Sequence, residues 1–386
     1  MNRCARGTPT ALAALAATLL LGACTQAGTS AASASSPFSD SSASSETPSP
    51  APSAASPLPA NAPTPQGLLL TVDFGSGTVT FVDPERGAVA SVAVGRAPYG
   101  LAVGADGLAW AATAEGLAVV DTRTRARVAR IPYRTDAGPA TDGEYRGGGM
   151  GIALSPDGAH AYVGVNVPGT TGVLEVVDTA TRRVTAVVPV GRRPFDVDVS
   201  ADGAEVYVTG HDSFDVTVVD ASLRPRRIEV AAYGTEGGLG SWLKPHYTAV
   251  RPADGKLLLP FEGERLAVVD PRTGRTTVEP MTADTHQHGA TVTADGRLLV
   301  VGTGAVEPGT GKGPSLTVRS PDGSERVYPL EGPHEDVAVS RDGRTAYVTG
   351  GYTRDGHWNG ITVVDLETGA ARRLPAGARP LGVAVL

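Results

Sequence analysis

An Asp-Gly pair that returns every 41 to 52 residues constrains this chain more than any other feature. It occurs at Asp106-Gly107, Asp157-Gly158, Asp202-Gly203, Asp254-Gly255, Asp295-Gly296 and Asp342-Gly343. Such a pair reverses the chain tightly, because glycine accepts positive φ and aspartate bonds the neighbouring backbone. A short alternating strand precedes the turn, as in Gly100-Leu101-Ala102-Val103, Gly151-Ile152-Ala153-Leu154 and Asp336-Val337-Ala338-Val339. A second strand follows it, clearest in Val206-Tyr207-Val208-Thr209 and Ala346-Tyr347-Val348-Thr349. A third ends on aspartate, at Val82-Asp83, Val120-Asp121, Val177-Asp178, Val219-Asp220, Val269-Asp270 and Val364-Asp365, and a weaker fourth comes after. These Val-Val and Tyr-Val runs favour extended, half-buried backbone. Four antiparallel strands make one twisted sheet that cannot bury both faces alone, so the repeats must stand side by side around an axis.

Seven first strands can be counted, beginning near Tyr99, Met150, Phe195, His246, His288, Glu335 and Leu381. The last of them, Pro380 to Leu386, ends the chain with no second strand, whereas the first repeat opens at Gly67 to Val72 with a second strand and no first. The expectation is therefore an all-β, seven-bladed β-propeller over residues 66–386, closed by the C-terminal strand pairing into the first blade. The run Pro194-Phe195-Asp196-Val197-Asp198-Val199-Ser200, followed by Asp202-Gly203, Tyr207-Val208-Thr209 and Val218-Val219-Asp220, resembles the YVTN (YncE-like) family of propellers. That resemblance implies the architecture. It is silent on chemistry, because such propellers include binding proteins, lactonases and cofactor-carrying subunits.

The segment before the repeats reads as an address and a tether. Arg3 and Arg6 precede an apolar run, Ala11 to Ala23, too short to span a bilayer stably, and Leu21-Gly22-Ala23-Cys24 resembles a bacterial lipobox. Residues 1–23 are thus expected to be a lipoprotein signal peptide, with Cys24 the lipidated residue. The only other cysteine, Cys4, would leave with the peptide, so no thiol remains for a disulfide outside the cytoplasm. Residues 24–65 are mostly Ser, Ala, Pro and Thr, a composition that cannot offset its ordering entropy, and read as a disordered tether. The expected location is the outer face of the cell membrane, held there by the lipid anchor only. Loss of residues 1–23 leaves 31 basic against 40 acidic side chains, a balance that argues against nucleic acid as a partner.

The candidate chemistry lies in the histidines. Loops that lead into the innermost strands share one propeller face with loops joining second to third strands. His246, His286, His288 and His334 belong to the first kind and His211 and His357 to the second, while His160 alone falls on the other face. Aligned first strands place Leu381, Tyr99, Met150, Phe195, His246, His288 and Glu335 in one ring position. Adjacent repeats thus bring together His246, His288 and Glu335, flanked by His286, His334 and Asp336. His286 and His288 point to the same side of an extended strand. An imidazole and carboxylate set of this kind suits zinc or copper, which makes a metal-holding, non-enzymatic binding protein the first reading. The second is a lactonase-like hydrolase using the same cluster, with Glu335 and Asp336, or His288 with Asp196, as candidate general bases. The third is a scaffold that binds a protein partner through its loops, with histidines that merely bond carbonyls or line a wet channel. Trp242 and Trp358 are candidates for capping a ligand. Tyr133 to Gly149 is a candidate lid or partner contact. No Gly-x-Ser-x-Gly elbow, phosphate loop or Asp-x-Asp-x-Asp calcium loop occurs.

Overall fold

The alternating apolar runs fold, in a computed structural model of the chain, into seven four-stranded antiparallel sheets. The structure describes residues 67–230, 244–261, 265–282, 287–304, 312–351 and 356–386, and every regular element among them is a strand. The turns are locked as their residues dictate. Gly203 adopts φ 72° and donates its N–H to Ser200 O at 2.8 Å, while Asp202 Oδ1 accepts from Ser200 Oγ and from the Ala204 N–H. The same Ser/Thr-x-Asp-Gly lock recurs from Ser155, Thr293 and Ser340. At the ends of the third strands, Asp121, Asp178 and Asp365 each accept a backbone N–H from two or three residues ahead, the Asx turn that starts the fourth strand.

Blades are numbered 1 to 7 from the N-terminus. Their innermost strands are, in that order, Pro380–Val385, Leu101–Val103, Gly148–Leu154, Pro194–Val199, Ala249–Val250, Gln287–Val292 and Val337–Val339. Closure is as the sequence requires: Leu69 pairs with Val385, Leu70 with Ala384 and Thr71 with Val383. A further bond runs from the Leu386 N–H to Leu68 O at 2.9 Å. The first blade is therefore built from both ends of the repeat region.

Both faces of each blade are covered. In blade 1, Leu70 and Phe81 pack toward Ala109 and Ala118 of blade 2, whereas Leu69 and Val82, one residue along their strands, pack toward Ile361 and Leu374 of blade 7. Side chains alternate across a strand, so a sheet sandwiched on both sides reads as a continuous apolar run. Leu69–Asp73 is buried at every position. The apolar clusters fill the spaces between neighbouring blades, and the first of them continues into the channel through Met150, Phe195 and Leu381.

The long connection from Tyr133 to Gly149 is pinned at its base rather than hinged. Glu175, fully buried in blade 3, accepts the backbone N–H groups of Arg134 and Thr135 at 3.2 and 2.7 Å. Asn166 Nδ2 donates to Arg146 O at 2.7 Å. These anchors do not suit a lid that opens from its base.

Candidate functional site

Each inner strand begins at the channel mouth, where the chain turns in from the preceding blade. The residue at that step is buried in all seven blades: Leu381, Tyr99, Met150, Phe195, His246, His288 and Glu335. The backbone confirms the equivalence, since Tyr99 N bonds Ala112 O at 2.8 Å and Glu335 N bonds Thr349 O at 2.9 Å, each closing on its blade's second strand. Blades 1 to 4 contribute apolar side chains to the layer and blades 5 to 7 contribute polar ones.

The polar half is continuous. The rings of His246 and His288 stack with centroids 4.3 Å apart and planes 17° from parallel. His288 Nδ1 lies 3.1 Å from Glu335 Oε2. Tyr247 donates its hydroxyl to Glu335 Oε1 at 3.3 Å. On the other side, His246 Nε2 meets His211 Nε2 at 3.2 Å. His211 Nδ1 is 2.7 Å from Asp212 Oδ1, which also accepts from Lys244 Nζ at 2.9 Å. With Nδ1–H donating to the Asp212 carboxylate, His211 presents a bare Nε2 to the His246 ring N–H. Burial pushes His211 down to about 3, so it is neutral at physiological pH. Burial would raise Asp212, but the bonds from His211 and Lys244 outweigh it and hold the carboxyl below its usual range.

Phe195 joins the two halves. Its ring stacks on His211 at 5.3 Å and meets His246, Tyr247 and Tyr99 edge-on at 5.1, 5.3 and 5.3 Å. Further along the inner strands, a cavity of about 260 Å³ is lined by Tyr99, Phe195, Tyr247, Asp196, Asp198 and Asp336 among others. Burial raises Asp196 to about 6 and Asp336 to about 8.

The structure brings together His246, His288 and Glu335, and leaves other candidates apart. His334 turns into its own blade, with Nδ1 2.6 Å from Gly332 O and Nε2 2.7 Å from Thr362 Oγ1. Its neighbour Glu335, in the same irregular segment before the inner strand, takes the channel side. Asp336 is a bracket between blades: its carboxylate accepts the N–H of Val337 at 2.8 Å and that of Val383 in blade 1 at 3.3 Å. Asp196 does the same between blades 4 and 5, accepting Val197 N–H and Thr248 N–H. It does not contact His288 as a base would. Trp358 packs within its own blade among the described residues. It lies against Gly350 and Gly360, edge-on to His334 at 5.9 Å, with the Arg373 guanidinium 4.7 Å from its ring. His286, Trp242 and Cys24 lie outside the described residues.

Sequence reasoning sorted His211 to the correct face but left it out of the cluster. The signal was available, because the loop after the second strand of blade 4 abuts the start of blade 5, where His246 stands. Among the described residues no group of three His, Cys, Asp or Glu side chains is placed to hold a metal ion. Two imidazole nitrogens converge, at His211 and His246, and no third donor joins them among the described residues.

No family model matches the chain, and no curated protein matches it. Solved structures share its shape. A functionally unknown protein from Desulfotomaculum acetoxidans superposes with a TM-score of 0.62 at 11% identity, over 83% of this chain and 99% of that one. Hydrazine synthase of Kuenenia stuttgartiensis gives 0.56 at 18% identity, covering 70% and 77%. Virginiamycin B lyase from Staphylococcus aureus gives 0.56 at 14%, covering 74% and 87%. Identities this low carry the fold alone, and the chain is a seven-bladed β-propeller.

Proposed function

We propose that this chain is an exported, lipid-anchored propeller of the YVTN type whose channel mouth binds a small molecule through His211, His246, His288 and Glu335. One observation carries the reading. Three adjacent buried polar groups, His246, His288 and Glu335, occupy a layer that the other blades fill with Leu, Tyr, Met and Phe, and buried His211 joins them from the loop after the second strand of blade 4. Burying imidazoles and a carboxylate costs stability unless they are well paired, and apolar residues serve equally well elsewhere in the same ring. The arrangement also suits acid–base chemistry, with His211 oriented by Asp212 and handing its bare nitrogen to His246. A lactonase-like or lyase-like reaction fits this geometry better than simple sequestration. By analogy, the Staphylococcus aureus lyase of similar shape is catalytically inactive when one of its histidines is changed to alanine.

The test is turnover of a panel of lactones, activated esters and β-elimination substrates by the mature protein, against His246→Gln and His288→Gln. Loss of an acid–base group should lower kcat by about 100-fold or more. Activity that persists in both variants would remove the imidazoles from the mechanism.

A transition-metal site is the second reading, favoured by the 3.2 Å between His211 Nε2 and His246 Nε2. Two imidazoles on one tetrahedral zinc stand about 3.3 Å apart. The described residues supply only that pair, so the reading requires His286 as a further ligand. Zinc and copper analysis of the purified protein and of His286→Ala decides it: metal bound equally by both would remove His286 from the site.

A further inference from the structure

Two buried arginines at the mouth have more donors than the described residues give them acceptors. Arg193 stands two residues before Phe195 and is only 2% exposed. Its guanidinium carbon lies 4.2 Å from the Tyr145 ring centroid and 5.5 Å from that of Phe195. Nη2 bonds Glu144 O and Glu144 Oε1 at 3.2 Å each, while Nε and Nη1 are buried with no acceptor among the described residues. A guanidinium carries five N–H donors, so three are left without a partner, and each costs free energy when water is excluded.

Arg146 deepens the imbalance. It is 3% exposed, and its three hydrogen bonds go to backbone carbonyls: Gly147 O at 3.0 Å, and Ala97 O and Gly149 O at 2.7 Å. Among the described residues no carboxylate is in ion-pair contact with it. Glu144 is the one carboxylate paired with either arginine, and the nearby Lys244 is matched by Asp212. Burial lowers Arg146 to about 10, with Arg193 opposing its charge as well. The pair therefore holds one positive charge more than its contact partners neutralise.

That charge sits beside the imidazoles. Arg193 O accepts the His211 N–H at 3.1 Å, and the Phe195 ring beneath the guanidinium is the one stacked on His211. Guanidinium groups recognise carboxylate and phosphate oxygens through charge-assisted bonds. From this geometry we infer that the mouth takes a ligand bearing an oxyanion, a carboxylate or phosphate group, held by Arg193 in the field of Arg146 and presented to His211 and His246. This rests on the mouth being the binding site proposed above.

The experiment is calorimetric titration of the full mature protein with acetate, citrate and inorganic phosphate at fixed ionic strength, with acetamide as the uncharged control. Saturable binding of at least one oxyanion is expected, with none for acetamide. Arg193→Gln should weaken it at least tenfold, while Arg183→Gln, on the exposed outer strand of blade 3, should leave it unchanged. Should Arg193→Gln fail to melt cooperatively, Arg193→Lys decides: it keeps the charge without the planar fork, and unaltered affinity in it would overturn the role of the guanidinium. No oxyanion binding by the wild type overturns the inference. Binding that survives Arg193→Gln but is lost in His246→Gln would do so too, while sparing the mouth as a site. Binding lost in Arg193→Gln but intact in both histidine variants would uphold the oxyanion site and refute the imidazole reading.

Discussion

The layer that closes the channel mouth has two halves built on one backbone. Leu381, Tyr99, Met150 and Phe195 in blades 1 to 4 occupy the same structural position as His246, His288 and Glu335 in blades 5 to 7, and all seven are 5% exposed or less. In the first half the fold places apolar bulk where apolar bulk is stabilising, with Tyr99 and Phe195 in edge-to-face contact. In the second it places groups that must be desolvated: Glu335 accepts from Tyr247 and His246 meets His211, while His288 Nδ1 stands 3.1 Å from Glu335 Oε2 without hydrogen-bond geometry between them. The propeller determines where these side chains stand. It does not require them to be polar.

The sharpest way to break the comparison is to move a polar residue across it. Leu381→Glu puts a carboxylate into the apolar half, in the blade next to Glu335, with no imidazole to meet it. The cost should be on the order of 5 kcal/mol, enough to abolish cooperative unfolding by circular dichroism; a normal melt would mean the two halves are interchangeable. Phe195→Ala, which removes the ring between the halves, should cost about 4 kcal/mol in urea denaturation. A loss under about 1 kcal/mol would show that His211 and His246 hold their places without it. Glu335→Gln keeps an acceptor for Tyr247 and removes only the charge beside His288, so a smaller cost of about 1 to 2 kcal/mol is expected.

His334 gives an effect visible only against pH. Burial holds it down to about 4 from an ordinary 6.5. Between those values the unfolded chain takes a proton that the folded chain refuses, so this contribution is complete above about pH 6.5 and is lost as pH falls toward 4. His334→Gln should flatten the stability profile in that window by up to about 3 kcal/mol. An unchanged slope would mean that His334 is not the group responsible.

Much of this is legible in the sequence. The Asp-Gly turns and the Val-Val-Asp ends set the strands, and the unmatched first and last strands predict ring closure because each lacks what the other supplies. The ring position is legible too, since aligned first strands bring His246, His288 and Glu335 into register. What escapes is direction and reach. His334 and Asp336 flank Glu335 in sequence, yet His334 is drawn into its own blade by Gly332 and Thr362, and Asp336 is drawn off to bracket the next blade's backbone. His211 escapes for the opposite reason: it is 35 residues from His246 in sequence, on a loop whose conformation no periodicity describes. The buried charges of Arg146 and Arg193 are also invisible, because an arginine in a polar loop ordinarily faces water.

The central claim is that the polar half of the layer is kept for ligand chemistry and not for stability. The triple variant His246→Phe, His288→Met, Glu335→Leu tests it most directly, since it rebuilds blades 5 to 7 in the image of blades 4, 3 and 1. Replacing buried polar groups with apolar residues of similar volume is often neutral or stabilising. The account predicts a melting temperature equal to or above that of the wild type. A fall of more than about 10 °C, several kcal/mol for a domain of this size, would contradict it and make the cluster a structural element of the ring.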